Sequence, residues 1–465
     1  MKKHLFLLLL PVSIFAQNSH SFDAYMEAQA ELYRFSGNVL VAVKGNVVYK
    51  RSFGFADQNT KKKLDSNSIF DCGSIAKEFT AVGILLLKDK GKISYSDTLR
   101  KFFPELPYCN ITIQQLLTHT SGVPDGSEVV TQAFDHQKIA TNEDLIRLLA
   151  SEKPPVYFKP GEDLMYSGTG FNLLACIIEK VSGQSYNAYM DQQVFRPLGM
   201  THTQVSNGYR SGKTIPGYAW GYVYSDSLKR YQRADSLETG WTSYLTGITG
   251  EGMIITTTGD LLKWDRALNA HSLLTETTQQ EMLSLQAEKK TVPKVQFGYG
   301  IRVGRNEVGN YIFHNGWYPG FESMLMCYTD QDITAIVLSN DESHSEFIAD
   351  ALVAIVLNKT PAMPSVHKAI SIAPASDKYF GKYLMALSRP PYMVTFPVDL
   401  ARKNNKFYIH PMRGSDIELK PESETKFFFA DGTDQQIEFE TDPGGNLFKV
   451  WHTAWGIKKE LKKVG

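Results

Sequence analysis

The chain has 465 residues, which is long enough for two or three domains. Lysine plus arginine and aspartate plus glutamate each number 49, so the formal net charge is zero. This balance provides no overall field to attract the protein to nucleic acid or to an anionic membrane. A hydrophobic fraction of 43% and a charged fraction of 21% are ordinary for a soluble globular protein.

The first residues have the pattern of a secretory signal peptide. Lys2 and Lys3 are basic, the stretch Leu5–Phe15 is apolar, and Ala16 precedes polar residues. The apolar stretch is too short to span a membrane. We therefore expect residues 1–16 to be a signal peptide and the mature protein to be exported, periplasmic or secreted, without a membrane span.

The elements predicted next combine strands at both ends of a domain with helices between them. Residues 37–43 and 46–49 flank Lys44-Gly45, which predicts a β-hairpin, and residues 333–338 form the clearest buried strand. Apolar periodicity and capping residues predict helices at residues 79–90, 111–117, 142–152, 171–182, from 259 onward, and 346–357. Residues 201–248, rich in glycine, tyrosine and serine, are predicted to be long loops.

The pattern changes near the C-terminus. A proline-containing linker is predicted at residues 359–376. Beyond it, strands are predicted at residues 392–398, 406–409, 426–429, 436–440 and 447–451, and they alternate with turn signals such as Pro443-Gly444-Gly445-Asn446. We therefore predict a main domain at 20–358 and a small all-β accessory domain at 377–465, whose role the sequence leaves open.

The cysteines give no sign of a metal site. Cys72, Cys109, Cys176 and Cys327 are far apart, and no two have the spacing of metal ligands. An exported compartment would permit disulfides, but such dispersed cysteines are more typical of small buried apolar residues. The sequence predicts neither a metal nor another cofactor.

Ser74 and Lys77 are the first candidates for chemistry. They are three residues apart, so they lie one turn apart on the same face of the predicted helix. A serine hydroxyl is a poor nucleophile until a base takes its proton, and a neutral lysine can be that base. The alternative interpretation is an N-cap serine followed by an exposed lysine, so the pair alone is weak evidence.

Four further motifs follow in order along the chain, at Leu116–Pro124, at Phe158–Ser167 ending in Tyr166-Ser167, at Glu251–Thr256 and at His314-Asn315-Gly316. Together with Ser74–Lys77 they resemble the serine β-lactamase and penicillin-binding protein family, on its branch of class C β-lactamases, esterases and D-aminopeptidases. The resemblance covers about residues 25–358. It implies an α+β, β-lactamase/transpeptidase-like fold, in which an antiparallel sheet is flanked by helices with a helical region beside it.

The resemblance also implies roles for individual residues. Ser74 would form the acyl-enzyme, and either Lys77 or Tyr166 would act as the base, a choice that the sequence leaves open. The strand motif His314–Gly316 and the following Trp317 are expected to bind substrate, with glycine leaving room along the strand edge. The backbone N–H groups of Ser74 and Trp317 would form the oxyanion hole.

Two positions depart from the family pattern. Gly168 replaces the asparagine of the Tyr-x-Asn motif, which removes an amide able to hold a substrate carbonyl and the lysine. His314 replaces the lysine of Lys-Thr-Gly, so a cation for a β-lactam carboxylate is missing. His119 is predicted to organise a loop near the cleft by hydrogen bonding rather than to catalyse.

These observations predict a serine hydrolase whose substrates are esters or D-amino-acid-containing peptides. One alternative is a β-lactamase or DD-peptidase, which the missing amide and cation disfavour. A second alternative is a penicillin-binding sensor that is acylated without turnover, which the retained Tyr166 disfavours because a deacylating group is still present. The oligomeric state is left open.

Overall fold

The computed structural model describes residues 12–206, 215–225, 228, 230–237, 239–289, 295–361, 363–364, 366–371, 379–389, 392–404, 406–411, 416–430, 435–454 and 457–464. The chain divides into two compact units. Of the described residues, the first unit contains 12–20, 35–288 and 296–356, and the second contains 21–34, 289, 295 and those from 357 onward. Residues 21–34, 289 and 295 thus group with the C-terminal unit, although the sequence analysis placed them in the main domain.

Most helices lie in the first unit, and those that were predicted have bounds close to the expected ones. The helices at residues 12–32, 99–102, 126–133, 186–190 and 276–283 were not predicted. Helix α6 covers residues 142–152 as predicted, whereas α7 begins three residues before the predicted start at Phe171. In chain order the helices are α1 (Val12–Leu32), α2 (Ala76–Asp89), α3 (Leu99–Phe102), α4 (Ile113–Leu117), α5 (Gly126–Ala133), α6 (Asn142–Glu152), α7 (Gly168–Ser182), α8 (Tyr186–Met190), α9 (Thr258–Asn269), α10 (Glu276–Leu283) and α11 (Ser345–Val356).

The strands before residue 340 are β1 (Gly37–Val43), β2 (Asn46–Phe53), β3 (Phe55–Asp57), β4 (Lys62–Lys63), β5 (Phe70–Asp71), β6 (Gln204–Val205), β7 (Tyr222–Ser225), β8 (Arg230–Arg233), β9 (Ile254–Thr256), β10 (Ala287–Lys289), β11 (Val295–Phe297), β12 (Arg302–Arg305), β13 (Asn310–Tyr318), β14 (Phe321–Tyr328) and β15 (Ile333–Ser339). Strands β6 to β8 lie in the region predicted as loops, where β7 and β8 pair as a hairpin. Residues 207–214 of that region lie outside the described residues.

A large sheet organises the first unit. Its strand order is β10-β11-β12-β13-β14-β15-β1-β2, with antiparallel pairing from β11 to β2. Strand β1 pairs with β15 along its whole length, from Gly37 opposite Ser339 to Val43 opposite Ile333. Every residue of β15 is buried, as the apolar run predicts. The N-terminal hairpin therefore completes a sheet whose other strands come from the end of the unit.

The described chain from residue 379 onward forms an all-β barrel, which confirms the predicted class of this domain. Its strands are β16 (Gly381–Arg389), β17 (Tyr392–Lys403), β18 (Lys406–Pro411), β19 (Ile417–Pro421), β20 (Lys426–Phe429), β21 (Gln435–Thr441), β22 (Leu447–Ala454) and β23 (Ile457–Lys463). Each pairs with the next, and β16 closes on β23. Phe427, Phe429 and Phe439 are buried in its core.

Two further findings concern membranes and cysteines. Among the described residues, no helix combines the length and the apolar character needed to cross a membrane. All four cysteines lie in the described part of the chain as free thiols, and Cys72, Cys176 and Cys327 are buried. These three therefore behave as the small apolar residues that their spacing predicted.

Helix α2 contains a buried carboxyl group. Glu78 is completely buried, and the indole Nε1 of Trp264 donates a hydrogen bond to its Oε2 at 2.7 Å. Burial raises the pKa of Glu78 from 4.5 to about 8, even though this hydrogen bond acts in the opposite direction. The folded protein therefore holds a proton here that the unfolded chain releases at a lower pH.

This buried proton predicts a specific dependence of stability on pH. Because the folded pKa of Glu78 is raised, the free energy of unfolding should fall by up to about 1.4 kcal/mol per pH unit as the pH rises from 4.5 to about 8. Glutamine keeps an oxygen for Trp264 and cannot ionise. We expect Glu78→Gln to show a flatter slope in urea unfolding over this range. Glu152→Gln, an exposed change on α6, should keep the wild-type slope, and identical slopes for all three proteins would refute the prediction.

Candidate active site

Ser74 lies in a single 3₁₀ turn, Gly73–Ile75, between β5 and α2. The turn is held by a short sheet, because β5 pairs with β9 and the N–H of Cys72 donates to the carbonyl of Ile254 at 3.0 Å. Gly73 has a φ of 51°, a left-handed conformation that glycine adopts without strain. The serine side chain is partly exposed at the start of the buried helix.

Strand β13 approaches the same turn more closely than ordinary side chains allow. A Cβ placed on Gly73 would lie 2.6 Å from the backbone N of Trp317. A Cβ placed on Gly316 would lie 2.0 Å from the carbonyl O of Cys72, an atom that also accepts a hydrogen bond from Ser323 Oγ at 2.8 Å. Gly316 thus leaves room for the backbone of the Ser74 turn, and its contact with substrate stays a prediction.

Lys77 is completely buried one helical turn after Ser74. Its Nζ donates to Ser74 Oγ at 3.2 Å and to the backbone carbonyl of Glu251 at 2.9 Å. The same Nζ lies 3.7 Å from the carboxylate Oε2 of Glu251 and 4.9 Å from the centre of the Tyr166 ring. The alternative of a capping serine with an exposed lysine is wrong, because the residue at the N-cap of α2 is Ile75.

His119 holds Tyr166 from both sides. Its backbone carbonyl accepts from the N–H of Met165, and its Nδ1 accepts from the N–H of Ser167, both at 3.0 Å. Its ring stacks on the Tyr166 ring with centres 4.6 Å apart. Burial, followed by the positive charge of Lys77, lowers the pKa of His119 well below 6.5, so the imidazole is neutral. This arrangement agrees with the predicted loop-organising role.

His314 is neutral as well. The side chain is completely buried, with its ring centre 6.2 Å from that of Tyr166. Its Nδ1 lies 2.6 Å from the carbonyl of Asn315, so Nδ1–H donates and Nε2 is left as the acceptor. Burial, followed by the positive charges of Arg302 and Lys77, lowers the pKa of His314 well below 6.5. Its contact with substrate, like that of Asn315, stays a prediction.

A cation that the sequence analysis missed lies on the neighbouring strand. Arg302 on β12 pairs with Phe313 and is only 4% exposed. Its guanidinium carbon lies 5.5 Å from the centre of the Tyr166 ring and 5.0 Å from that of Phe297. These are distances at which a cation is attracted to an aromatic face. Arg302 belongs to none of the recognised motifs, and only strand pairing brings its charge to Tyr166 and His314.

Glu251 fills the space that opens at Gly168. A Cβ placed on Gly168 would lie 1.7 Å from Oε2 of Glu251 and 2.5 Å from its carboxyl carbon. A carboxyl group from a distant segment thus stands where the family has an asparagine side chain. The sequence analysis recognised both residues in separate motifs but did not connect them, although the loss of a side chain at position 168 was the available signal.

The backbone preceding Glu251 is tied to two helices. Thr80 on α2 donates through Oγ1 to the carbonyl of Gly250 at 2.6 Å, and Asn172 on α7 donates through Nδ2 to the carbonyl of Thr249 at 2.9 Å. Burial raises the pKa of Glu251, whereas the charge of Lys77 acts in the opposite direction. The carboxyl group is therefore held beside Lys77, whose charge offsets part of the effect of burial.

Comparison with known proteins places this geometry in a family. The family model described as Beta-lactamase matches residues 22–358. The chain belongs to the Beta-lactamase family. It is a serine hydrolase with the β-lactamase/transpeptidase-like fold, followed by an all-β C-terminal domain.

Relatives and solved structures support this membership. Penicillin-binding protein 4* of Bacillus subtilis (strain 168) is 36% identical over 411 residues, which cover 86% of this chain and 89% of that protein. The octameric penicillin-binding protein homologue from Pyrococcus abyssi shares the fold with a TM-score of 0.65 and 22% identity, covering 97% of this chain and all of that one. D-amino acid amidase from Ochrobactrum anthropi SV3, complexed with D-phenylalanine, shares the fold with a TM-score of 0.60 and 22% identity, covering 73% and 98%.

The close approach of β13 makes a prediction for this Beta-lactamase family site. We expect Gly316→Ala to slow labelling of Ser74 by a fluorophosphonate and to lower the free energy of unfolding by about 1–3 kcal/mol, because the new methyl group pushes β13 away from the turn. Gly259→Ala is the matched control, since a Cβ placed on Gly259 would lie 3.8 Å from Thr257 Oγ1, an ordinary contact distance. Normal labelling and stability in Gly316→Ala would show that the two backbones need not meet.

Lys77 and Tyr166 should act as one unit. Both are proposed to take part in the same transfer of the Ser74 proton. We therefore expect Lys77→Ala alone to reduce ester turnover nearly as much as the double variant Lys77→Ala/Tyr166→Phe. Lys159→Ala, which removes a lysine with an 82% exposed side chain, should leave turnover unchanged. If the losses from the two single variants multiply in full in the double variant, the shared path is wrong.

Proposed function

We propose that this protein is an exported serine hydrolase that acts through an acyl-enzyme on Ser74. The observation that carries the proposal is the position of the buried Lys77 amine, 3.2 Å from Ser74 Oγ. This distance lies at the limit expected of a nucleophile and its base. The basic and apolar leader at residues 1–16 supports export.

In the proposed reaction, Ser74 Oγ attacks the substrate carbonyl while its proton passes to the neutral amine of Lys77 or to the phenolate of Tyr166, so the group that acts as the base has first released its own proton. The backbone N–H groups of Ser74 and Trp317 donate hydrogen bonds to the carbonyl oxygen and stabilise the negative charge that develops on it. One such donor contributes roughly 3 kcal/mol of transition-state stabilisation. The transferred proton then leaves with the alcohol or amine, and water hydrolyses the acyl ester to regenerate Ser74.

We propose esters or D-amino-acid-containing peptides as the substrates. The neutral His314 provides no cation for a β-lactam carboxylate, and the buried Arg302 is only 4% exposed. Gly168 provides no side-chain amide for an acylamino group. An ester requires neither contact, because its leaving group is good and the oxyanion hole supplies most of the stabilisation.

The alternative is a penicillin-recognising protein, either with turnover, as in a β-lactamase or DD-peptidase, or without turnover, as in a sensor. The 36% identity to a protein named penicillin-binding protein 4* favours this alternative. The presence of Tyr166 beside Lys77 favours turnover over a stable acyl-enzyme. Deacylation is therefore the step that separates the enzymes from the sensor.

Ser74→Ala should abolish both hydrolysis of short acyl esters and labelling by a fluorophosphonate, whereas Ser151→Ala, an exposed change on α6, should preserve both. We expect the wild type to hydrolyse a chromogenic cephalosporin at least about tenfold to a hundredfold less efficiently than the ester, since one hydrogen bond to a charged group is missing. Labelling that persists in folded Ser74→Ala would disprove the nucleophile. Efficient cephalosporin turnover would instead favour the alternative.

A further inference from the structure

The carboxyl group of Glu251 lies close to the reacting atoms. Its Oε2 is 3.7 Å from Lys77 Nζ, which is 3.2 Å from Ser74 Oγ. The side chain is not sealed off, because 19% of its surface is exposed. Because this carboxylate occupies the place of the family's asparagine side chain, we expect groups on the carbon next to a carbonyl attacked by Ser74 to lie within its reach.

Replacing an amide by a carboxylate reverses the hydrogen bonding offered at this place. An asparagine side chain at position 168 would present an N–H₂ donor to the carbonyl of an acylamino substituent. An ionised Glu251 has no donor, so the same carbonyl would face a negatively charged acceptor. A protonated amine, in contrast, would donate a charge-assisted hydrogen bond to it.

The existing partners of Glu251 leave acceptor capacity. A carboxylate has two oxygens and about four lone-pair sites. Lys77 Nζ lies 3.7 Å from this carboxylate, and Lys77 and Asn172 both favour its charged form. A third, charged donor from a ligand can therefore be accommodated without removing the others.

We propose that Glu251 selects substrates with a free, protonated amine on the carbon next to the scissile carbonyl and disfavours their N-acylated counterparts. This inference rests on the proposed acyl transfer through Ser74 and specifies the class of substrate for the same site. It also gives a reason for the weak recognition that we predict for penicillins and cephalosporins carrying an acylamino group. Glu251 thereby acts on substrate choice and not only on Lys77.

The test compares D-alanine methyl ester with N-acetyl-D-alanine methyl ester in the full-length protein. At pH 6.5 the free amine is charged, because the reference pKa of an α-amine is roughly 7.7–8.0. Hydrolysis is followed by the acid released, and the readout is the ratio of kcat/KM for the two esters. Methyl propionate, which has neither group, separates attraction of the amine from repulsion of the acyl group.

We expect the wild type to prefer the free amine and Glu251→Gln to reduce this ratio roughly tenfold to a hundredfold, chiefly through a higher KM for the amine. A change that only disturbs Lys77 lowers both rates and cancels in the ratio. Glu152→Gln, an exposed glutamate on α6, should keep the wild-type ratio.

A second variant tests the same idea by exchange. Gly168→Asn together with Glu251→Ala removes the carboxylate that the new side chain would strike and restores the amide donor. We expect this double variant, once its folding is verified by fluorophosphonate labelling, to prefer the N-acetyl ester.

The outcomes separate the two proposals. If both esters are hydrolysed no faster by the wild type than by Ser74→Ala, the proposed function fails. If hydrolysis depends on Ser74 but the wild type prefers the N-acetyl ester, the assignment of Glu251 is overturned while the proposed function stands. The assignment of Glu251 is also overturned if neither Glu251→Gln nor the double variant changes the ratio.

Discussion

A lysine amine with no access to water is the constraint on which the active site depends. Such a group must be satisfied by protein atoms, and for Lys77 these come from the Ser74 hydroxyl, the backbone carbonyl and carboxylate of Glu251, and the face of Tyr166. Each partner belongs to a different segment. Satisfying one amine therefore determines how the Ser74 turn, the loop before β9 and the loop before α7 meet.

The segments themselves are positioned by backbone contacts rather than by long side chains. β13 reaches the Ser74 turn because Gly73 and Gly316 have no Cβ, and Gly250, with a φ of 109°, lies against the carbonyl of Phe171. His119 adds hydrogen bonds on either side of Tyr166. Glycines thus determine how closely the backbone segments that carry the functional side chains approach one another.

Much of this arrangement could be predicted from short patterns of neighbouring residues and from the order of the motifs along the chain. The spacing of Ser74 and Lys77, the buried run of β15 and the cap at Thr141 that begins α6 all depend on neighbours along the chain. What was missed depends on neighbours in space. The carboxylate of Glu251 enters a gap at Gly168, and Arg302 reaches Tyr166 through pairing of β12 with β13, so no single window contains either relation.

In the barrel, too, local sequence was not enough to predict every strand. Strands β16, β19 and β23 were not predicted, and their sequences contain lysine, glutamate, leucine and methionine, which are good helix formers. Pairing with neighbouring strands overrides that local preference. The predicted class was nevertheless correct, because the remaining segments alternate strands with clear turns and contribute the aromatic core.

The pairing of β1 with β15 has a consequence for how the protein is made. Gly37 and its partner Ser339 are separated by most of the first unit, so a chain that emerges N-terminus first presents β1 long before β15 exists. During that interval the nascent polypeptide carries an apolar strand with an unpaired edge, a feature that promotes association with other chains. The sheet can therefore be completed only after β15 has been synthesised. Until then, we expect the growing chain to bind chaperones that cover exposed apolar strands.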